Sequence, residues 1–278
     1  MPDDLERIET FRHWIEDTTS SRIEPWRFGT ALYHDGFPDR WDSNFLRVER
    51  PVGVATATEL AAEADRALER FRHREFVFDD DAEGARVATG LVELGYDADR
   101  LVYLALRREP DREPPPLEVA EVDFGTVRPF IVQTNLVAHG GTPRESAEIL
   151  ADFREVLIER VGARFFATRI DGRVVGSCEL YVRDGVAQIE SVDTLEAYRN
   201  RGVARAFLAA AISAARDAAD LVFLIADAAD WPQQLYGKLG FDPVGTFRQF
   251  TKPPPGGDRP LSLPGAPGTS GTIGQPCR

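Results

Sequence analysis

The stretch that most constrains this chain is Ala187–Ala215, AQIESVDTLEAYRNRGVARAFLAAAISAA. It begins as a strand over 187–192, with Ile189 and Val192 apolar among polar neighbours, and becomes an alanine-rich helix from about Gly202. The joint reads Arg199-Asn200-Arg201-Gly202-Val203-Ala204. At a helix entry the first backbone N–H groups have no intrahelical partner, and the helix dipole adds partial positive charge. Gly202 removes a Cβ from beside those donors, and Arg199 and Arg201 add charged ones. Together these are the requirements for gripping a pyrophosphate.

Downstream, Leu221–Ala226 reads as a hydrophobic strand and 231–239 as a helix closing on Tyr236-Gly237-Lys238-Leu239-Gly240-Phe241. An R-x-x-G-x-A loop after a core strand, followed at this distance by YxxLGF, resembles the GCN5-related N-acetyltransferase (GNAT) family, whose signature is [QR]-x-x-G-x-[GA]. The resemblance implies an α/β (α+β) fold, with a mixed central sheet flanked by helices. It implies acetyl transfer from acetyl-CoA, as co-substrate, to a primary amine by direct attack in a ternary complex, without a metal. Carried over by position, Arg199, Asn200, Arg201, Gly202, Val203 and Ala204 would hold the pyrophosphate. Val192, Asp193 and Thr194 would offer backbone contacts to the pantetheine arm and acetyl carbonyl, and Tyr236 would protonate the CoA thiolate. Two positions depart from the family pattern. Glu196 stands where a loop proline is common, and no asparagine precedes the last helix, where Asp227, Ala228, Ala229 and Asp230 lie.

An alkylamine has a pKa of ~10, so attack near neutral pH is helped by a base. Glu190, on the core strand, is the first candidate; Asp193 and Glu179 are weaker ones. Each has a structural alternative: Glu190 as an ion-paired strand residue, Tyr236 as a packing residue between helix and sheet. Two other functions stay open, a non-catalytic CoA-binding scaffold and a transferase using a longer acyl-CoA.

Taken in order, the chain predicts a helix over 3–20, strands near 29–33 and 43–48, a helix over 58–71 capped by Thr58, a strand over 75–78, a helix over 82–94 and a strand over 101–107. LVELGYDADRLVYLAL (91–106) echoes YGKLGFDPVGTFRQF (236–250), so residues 1–112 are expected to be a degenerate GNAT-like half-copy. Its counterpart of the phosphate loop, 49–54, contains Pro51, which deletes a donor, so no cofactor is expected there. Support, completion of the acceptor pocket or dimer contact are its expected roles, a homodimer being left open. Glu109–Pro116 is proline-rich and extended, with the linker placed at 113–116. Residues 117–252 then carry the catalytic domain: a strand, two helices (127–138 and 144–161), a hairpin turning at Asp171-Gly172, and the elements already named. Residues 253–278 are rich in Pro and Gly, and disorder is expected there.

Net charge is −13, from 33 basic and 46 acidic residues, which argues against nucleic-acid or anionic-membrane partners and favours a cationic small-molecule or peptide amine as acceptor. The same charge serves solubility equally well. Cys178 and Cys277 are poorly placed for a disulfide, the first residues lack an apolar signal, and no apolar run approaches the ~20 residues of a membrane span, so a cytoplasmic protein is expected. The histidines have no metal-ligand spacing, and Asp79-x-Asp81-x-Glu83-Gly84 fails as a calcium loop because Gly90 stands at its twelfth position. The acceptor pocket is expected from residues 125–143 together with the N-terminal half.

Overall fold

In the first half, Asp3 caps α1 (Asp4–Thr19) through the Glu6 amide, 2.8 Å away. A hairpin of β1 (Arg22–Trp26) and β2 (Gly29–Tyr33) follows, then β3 (Phe45–Val48), α2 (Ala57–Ala67), β4 (Arg74–Phe78), α3 (Asp81–Glu93) and β5 (Asp97–Leu106). The second half runs β6 (Glu118–Val122), α4 (Phe124–Val137), α5 (Arg144–Val161), β7 (Arg164–Ile170), β8 (Arg173–Arg183), β9 (Val186–Thr194), α6 (Val203–Arg216), β10 (Leu221–Asp227), α7 (Pro232–Lys238) and β11 (Phe241–Lys252). This computed structural model describes residues 3–137, 143–229 and 232–254. The expected disorder of the tail therefore concerns residues that lie, from 255 onward, outside the described ones, as do Cys277, His139 and Asp230.

Three elements differ from the sequence expectation, each for a local reason. The cap of α2 is Thr56, not Thr58, because Thr56 and Glu59 form a reciprocal capping box. β1 was not expected: it is an edge strand with no buried position and so carries no hydrophobic alternation. β5 starts at Asp97, since Asp97–Arg100 are mostly exposed yet pair with Thr251–Arg248 of β11.

The described strands form one sheet in the order β1-β2-β3-β4-β11-β5-β10-β9-β8-β7-β6. Each half thus lends its last strand to the other: β11 lies against β4, and β5 against β10. The two lent strands are antiparallel partners from Asp97↔Thr251 to Leu106↔Phe241. β3–β4 and β9–β10 are the parallel pairs, each bridged by a crossover helix, so the pattern occurs twice in one continuous sheet. Side-chain alternation sorts the helices into two layers. Ile8 and Phe11 of α1 share one face with α4 and α5, over Leu101, Tyr103, Phe223 and Phe247. On the other face α6 and α7 cover Ile189, Leu224 and Phe241, while α2 and α3 cover Phe76, Phe78 and Phe250.

Candidate active site

β9 and β10 are paired only from Val186↔Leu221 to Ile189↔Leu224. Beyond that rung Ile225–Asp227 stay bonded to β5, while Asp193 and Thr194 stay bonded to β8. A gap therefore opens between two parallel strands in mid-sheet. At its edge β9 is bulged: the register with β8 breaks between Ser177 and Glu179, and Ser191 has a φ of 53°. The bulge inverts the alternation. Ile189 and Val192 both pack in the α6 layer, whereas Glu190 lines a cavity beneath α1 and α5. Val192 and Glu190, two residues apart, thus face opposite sides, which simple alternation along the strand would not give.

The loop leads directly from the gap into α6. Asn200 and Gly202 have left-handed φ values of 59° and 80°, and α6 begins with no side-chain cap, its first recorded bond running from the Ala206 amide to the Gly202 carbonyl at 3.0 Å. Arg199 bonds the Thr194 carbonyl at 3.2 Å, and Arg201 lies over the Tyr198 ring. The equivalent loop of the N-terminal half is closed instead. β3 and β4 pair up to Val48↔Phe78, the Val52 amide is taken by Glu83 Oε2 at 3.0 Å, and α2 has its capping box. One crossover consumes its own donors, whereas the helix entry of α6 has no side-chain cap among the described residues.

Gly202 has a packing role of its own. A Cβ there would stand 2.8 Å from Cγ of Pro115, because the segment joining the halves runs along α6. Glu109 pairs with Arg216, Asp111 with Arg205 at 2.8 Å, and the Arg112 carbonyl accepts from Arg205. The proline-rich segment is a strap on α6 as well as a connection.

On the opposite face a cavity of about 130 Å³ lies between the halves. α5 contributes Phe153 and Leu157, β8 Tyr181, β9 Gln188 and Glu190, and β10 Ile225; α1 with Ser20, Arg40 with the turn Trp41–Ser43, β3, β4 and β11 supply the rest. None of residues 125–143 lines it; of these, 138–142 are outside the described residues. Glu190 accepts from Gln188 Nε2 at 2.6 Å and has no cationic partner among the described residues. Burial first, then Glu179 and Asp42, push its carboxyl up to about 8, against hydrogen bonds from Ser191 and Gln188. Asp193 is raised to about 7 by burial, with Arg154 and Arg199 opposing.

Glu179 is a different case. It is buried, bonded by Arg154 Nε at 2.8 Å and by the Tyr181 hydroxyl, a closed ion pair that anchors α5 to β8. Tyr236 is buried on the α6–α7 face, edge-on to Phe241. The sheet therefore separates Tyr236 from Glu190, and they stand on opposite faces of the strands around the gap. Sequence reasoning missed Gln188 and Tyr181; Gln188, two residues before Glu190 on an unbulged stretch, was within reach of alternation. Glu75 and Asp42, brought in by strand exchange and a turn, carried no signal.

Residues 134–241 match the family model described as the acetyltransferase (GNAT) family. Solved structures share the fold over most of the chain. A GCN5-related N-acetyltransferase from Kribbella flavida is 21% identical with a TM-score of 0.57, covering 89% of this chain and 95% of that one. A tandem GNAT protein from the clavulanic acid biosynthesis pathway is 15% identical with a TM-score of 0.52, covering 81% and 78%. A functionally unknown conserved protein from Staphylococcus epidermidis ATCC 12228 gives 13% and 0.65, covering 84% and 94%. No curated protein matches the sequence. Among the described residues no group of His, Cys, Asp and Glu could hold a metal ion, and no helix is long and apolar enough to cross a membrane.

Proposed function

We propose that this protein is an acetyl-CoA-dependent N-acetyltransferase acting on a primary amine in a ternary complex. The observation that carries it is the gap between β9 and β10, with an uncapped helix entry on one side and Glu190 in a cavity on the other. Acetyl-CoA, when bound, supplies the thioester. Backbone donors of Val203 and Ala204 with Arg199, Asn200, Arg201 and Gly202 hold its pyrophosphate, and unpaired backbone of Val192, followed by Asp193 and Thr194, orients the acyl arm. Glu190 takes the proton of the attacking amine as the N–C bond forms. Tyr236 gives its phenolic proton to the sulfur as the C–S bond breaks and recovers one from solvent. A carboxyl titrating at about 8 is matched to this proton transfer near neutral pH, which favours turnover over a scaffold role.

The test is thiol release with an amine panel, for wild type and Tyr236→Phe. The reading predicts turnover that falls in the variant while acetyl-CoA affinity holds. Tight acetyl-CoA binding with no transfer to any amine would support the scaffold instead, and competition among acyl-CoAs separates acetyl from longer donors.

A further inference from the structure

The acceptor cavity holds more acid than it uses. Two cations line it, and both are ion-paired, Arg12 with Glu16 and Asp79 and Arg40 with Asp42 at 2.8 Å, although Arg12 Nε and Arg40 Nη1 have no hydrogen-bond partner among the described residues. Two of its carboxyls, Glu190 on β9 and Glu75 on β4, pair with no cation among the described residues. Glu75 is 1% exposed, accepts from Gln249 Nε2 at 3.0 Å and Thr251 Oγ1 at 3.3 Å, and takes no part in the transfer chemistry. Independently of the carboxyls, Gln188 lines the same cavity at 5% exposure and leaves its Oε1 with no hydrogen-bond partner. A buried acceptor without a donor is destabilising, so this atom calls for something that donates to it. Gln188 Oε1 and the two carboxyls without a cation line the same cavity, and an amine is the ligand that brings N–H groups to all three.

The placement of the two carboxyls gives that component a length. β4 and β9 are separated by β11, β5 and β10. Four strand spacings of ~4.8 Å put an upper bound of about 19 Å on their lateral separation, before the inward reach of the side chains. Asp42, from the turn between β2 and β3, acts on the carboxyls of both Glu75 and Glu190, which joins the two ends electrostatically.

We propose that the acceptor is an elongated amine bearing a second cationic group, its reacting nitrogen against Gln188 and Glu190 and its far cation against Glu75. This deepens the transferase reading and rests on it for the fate of the near nitrogen. The N-terminal half, whose own phosphate loop is closed, then gains a role of its own, reading the far end of the substrate through β4. Arg40, whose Nη1 lacks a partner, is the rival reader, and it would select a carboxylate there instead.

The test is calorimetric binding to the full chain without CoA, using diaminobutane, diaminooctane and diaminododecane, the monoamine of each length, and the matching ω-amino acids. A diamine of intermediate or greater length should bind at least tenfold more tightly than its monoamine. Glu75→Gln, close in size and still able to bond Gln249 and Thr251, should erase that preference and leave monoamine affinity unchanged. Glu75→Asp, with a shorter reach, should keep the preference and move the optimum to a longer chain. Equal affinity for diamine and monoamine in the wild type, preference for the ω-amino acid, or equal losses for both amines in folded Glu75→Gln would each overturn the proposal. Acetyl-CoA affinity, measured separately, distinguishes this from failure of the transferase reading: amine preference with no acetyl-CoA binding sinks only the latter.

Discussion

Glu190→Gln sets activity and stability against each other, as expected of a half-buried base with a raised pKa. Glu190 is surrounded by Gln188 on its own strand, Glu179 and Tyr181 on β8, and Asp42 from the turn near β3, with Arg154 of α5 reaching it only through Glu179. Its carboxyl is held at about 8 in the folded protein, against an ordinary 4.5. The folded state therefore binds a proton that the unfolded state releases, and between those two pH values stability falls as pH rises. The loss is absent below the unfolded pKa and complete above about 8. At ~1.36 kcal/mol per pH unit the full effect approaches 5 kcal/mol, and solvent screening of this half-buried carboxyl reduces it to about 2–3 kcal/mol. Glutamine carries no charge and escapes this loss. Thermal unfolding should show the variant near wild type at pH 5 and roughly 5 °C or more above it at pH 9. Thiol-release assays should show kcat down by about 10²–10⁴, with the pH–rate limb near 8 replaced by that of the acceptor amine. A variant with kcat within threefold of wild type, or no stabilisation at pH 9, would refute this account of Glu190.

Other positions give separate expectations. Tyr236→Phe keeps the ring against Phe241 and should lower kcat by about 10–10² with the acetyl-CoA Kd unchanged; an unchanged kcat would return Tyr236 to a packing role. Arg154→Met leaves Glu179 buried and unpaired and should cost about 3–5 kcal/mol in denaturant melts, whereas a loss under 1 kcal/mol would mean Glu179 is held by Tyr181 alone. Gly202→Ala meets both a left-handed φ and Pro115, and should destabilise by about 1–2 kcal/mol or more, with part of the loss recovered by adding Pro115→Ala. Residues 117–252 expressed alone lack the β5 partner of β10 and β11; they should remain unfolded by circular dichroism and gain structure only on mixing with 1–112.

Most of the second half was legible because its signals are local. The hairpin turned at Asp171-Gly172, both at positive φ, and α5 ended at Gly162 in the left-handed conformation. Glycine and arginine at the entry of α6 marked the loop proposed to hold the phosphates, and its left-handed Gly202 lies where the sequence put the joint. Repetition was readable too, since 91–106 and 236–250 turned out to be the α3–β5 and α7–β11 segments of matching units. What stayed hidden depends on contacts between distant residues. Nothing local tells Asp97–Leu106 to pair with both β10 and β11, so the exchange of last strands is a decision of the whole sheet. The bulge at Ser191 is likewise invisible in the residue types, yet it turns Val192 away from Glu190. Pro115 against Gly202 gives the glycine a packing role that a ligand-only reading overlooks.

The central claim is that the open crossover before α6 binds acetyl-CoA, and calorimetric titration tests it most directly. The informative variants are Ala204→Pro, which deletes one N–H in the first turn of α6 without removing an intrahelical bond, and Arg199→Ala/Arg201→Ala, which removes the charged donors without disturbing Gly202. The account predicts micromolar binding by the wild type and at least tenfold weaker binding by both variants, with unchanged melting temperatures. No binding by the wild type, or full affinity in both folded variants, would contradict it.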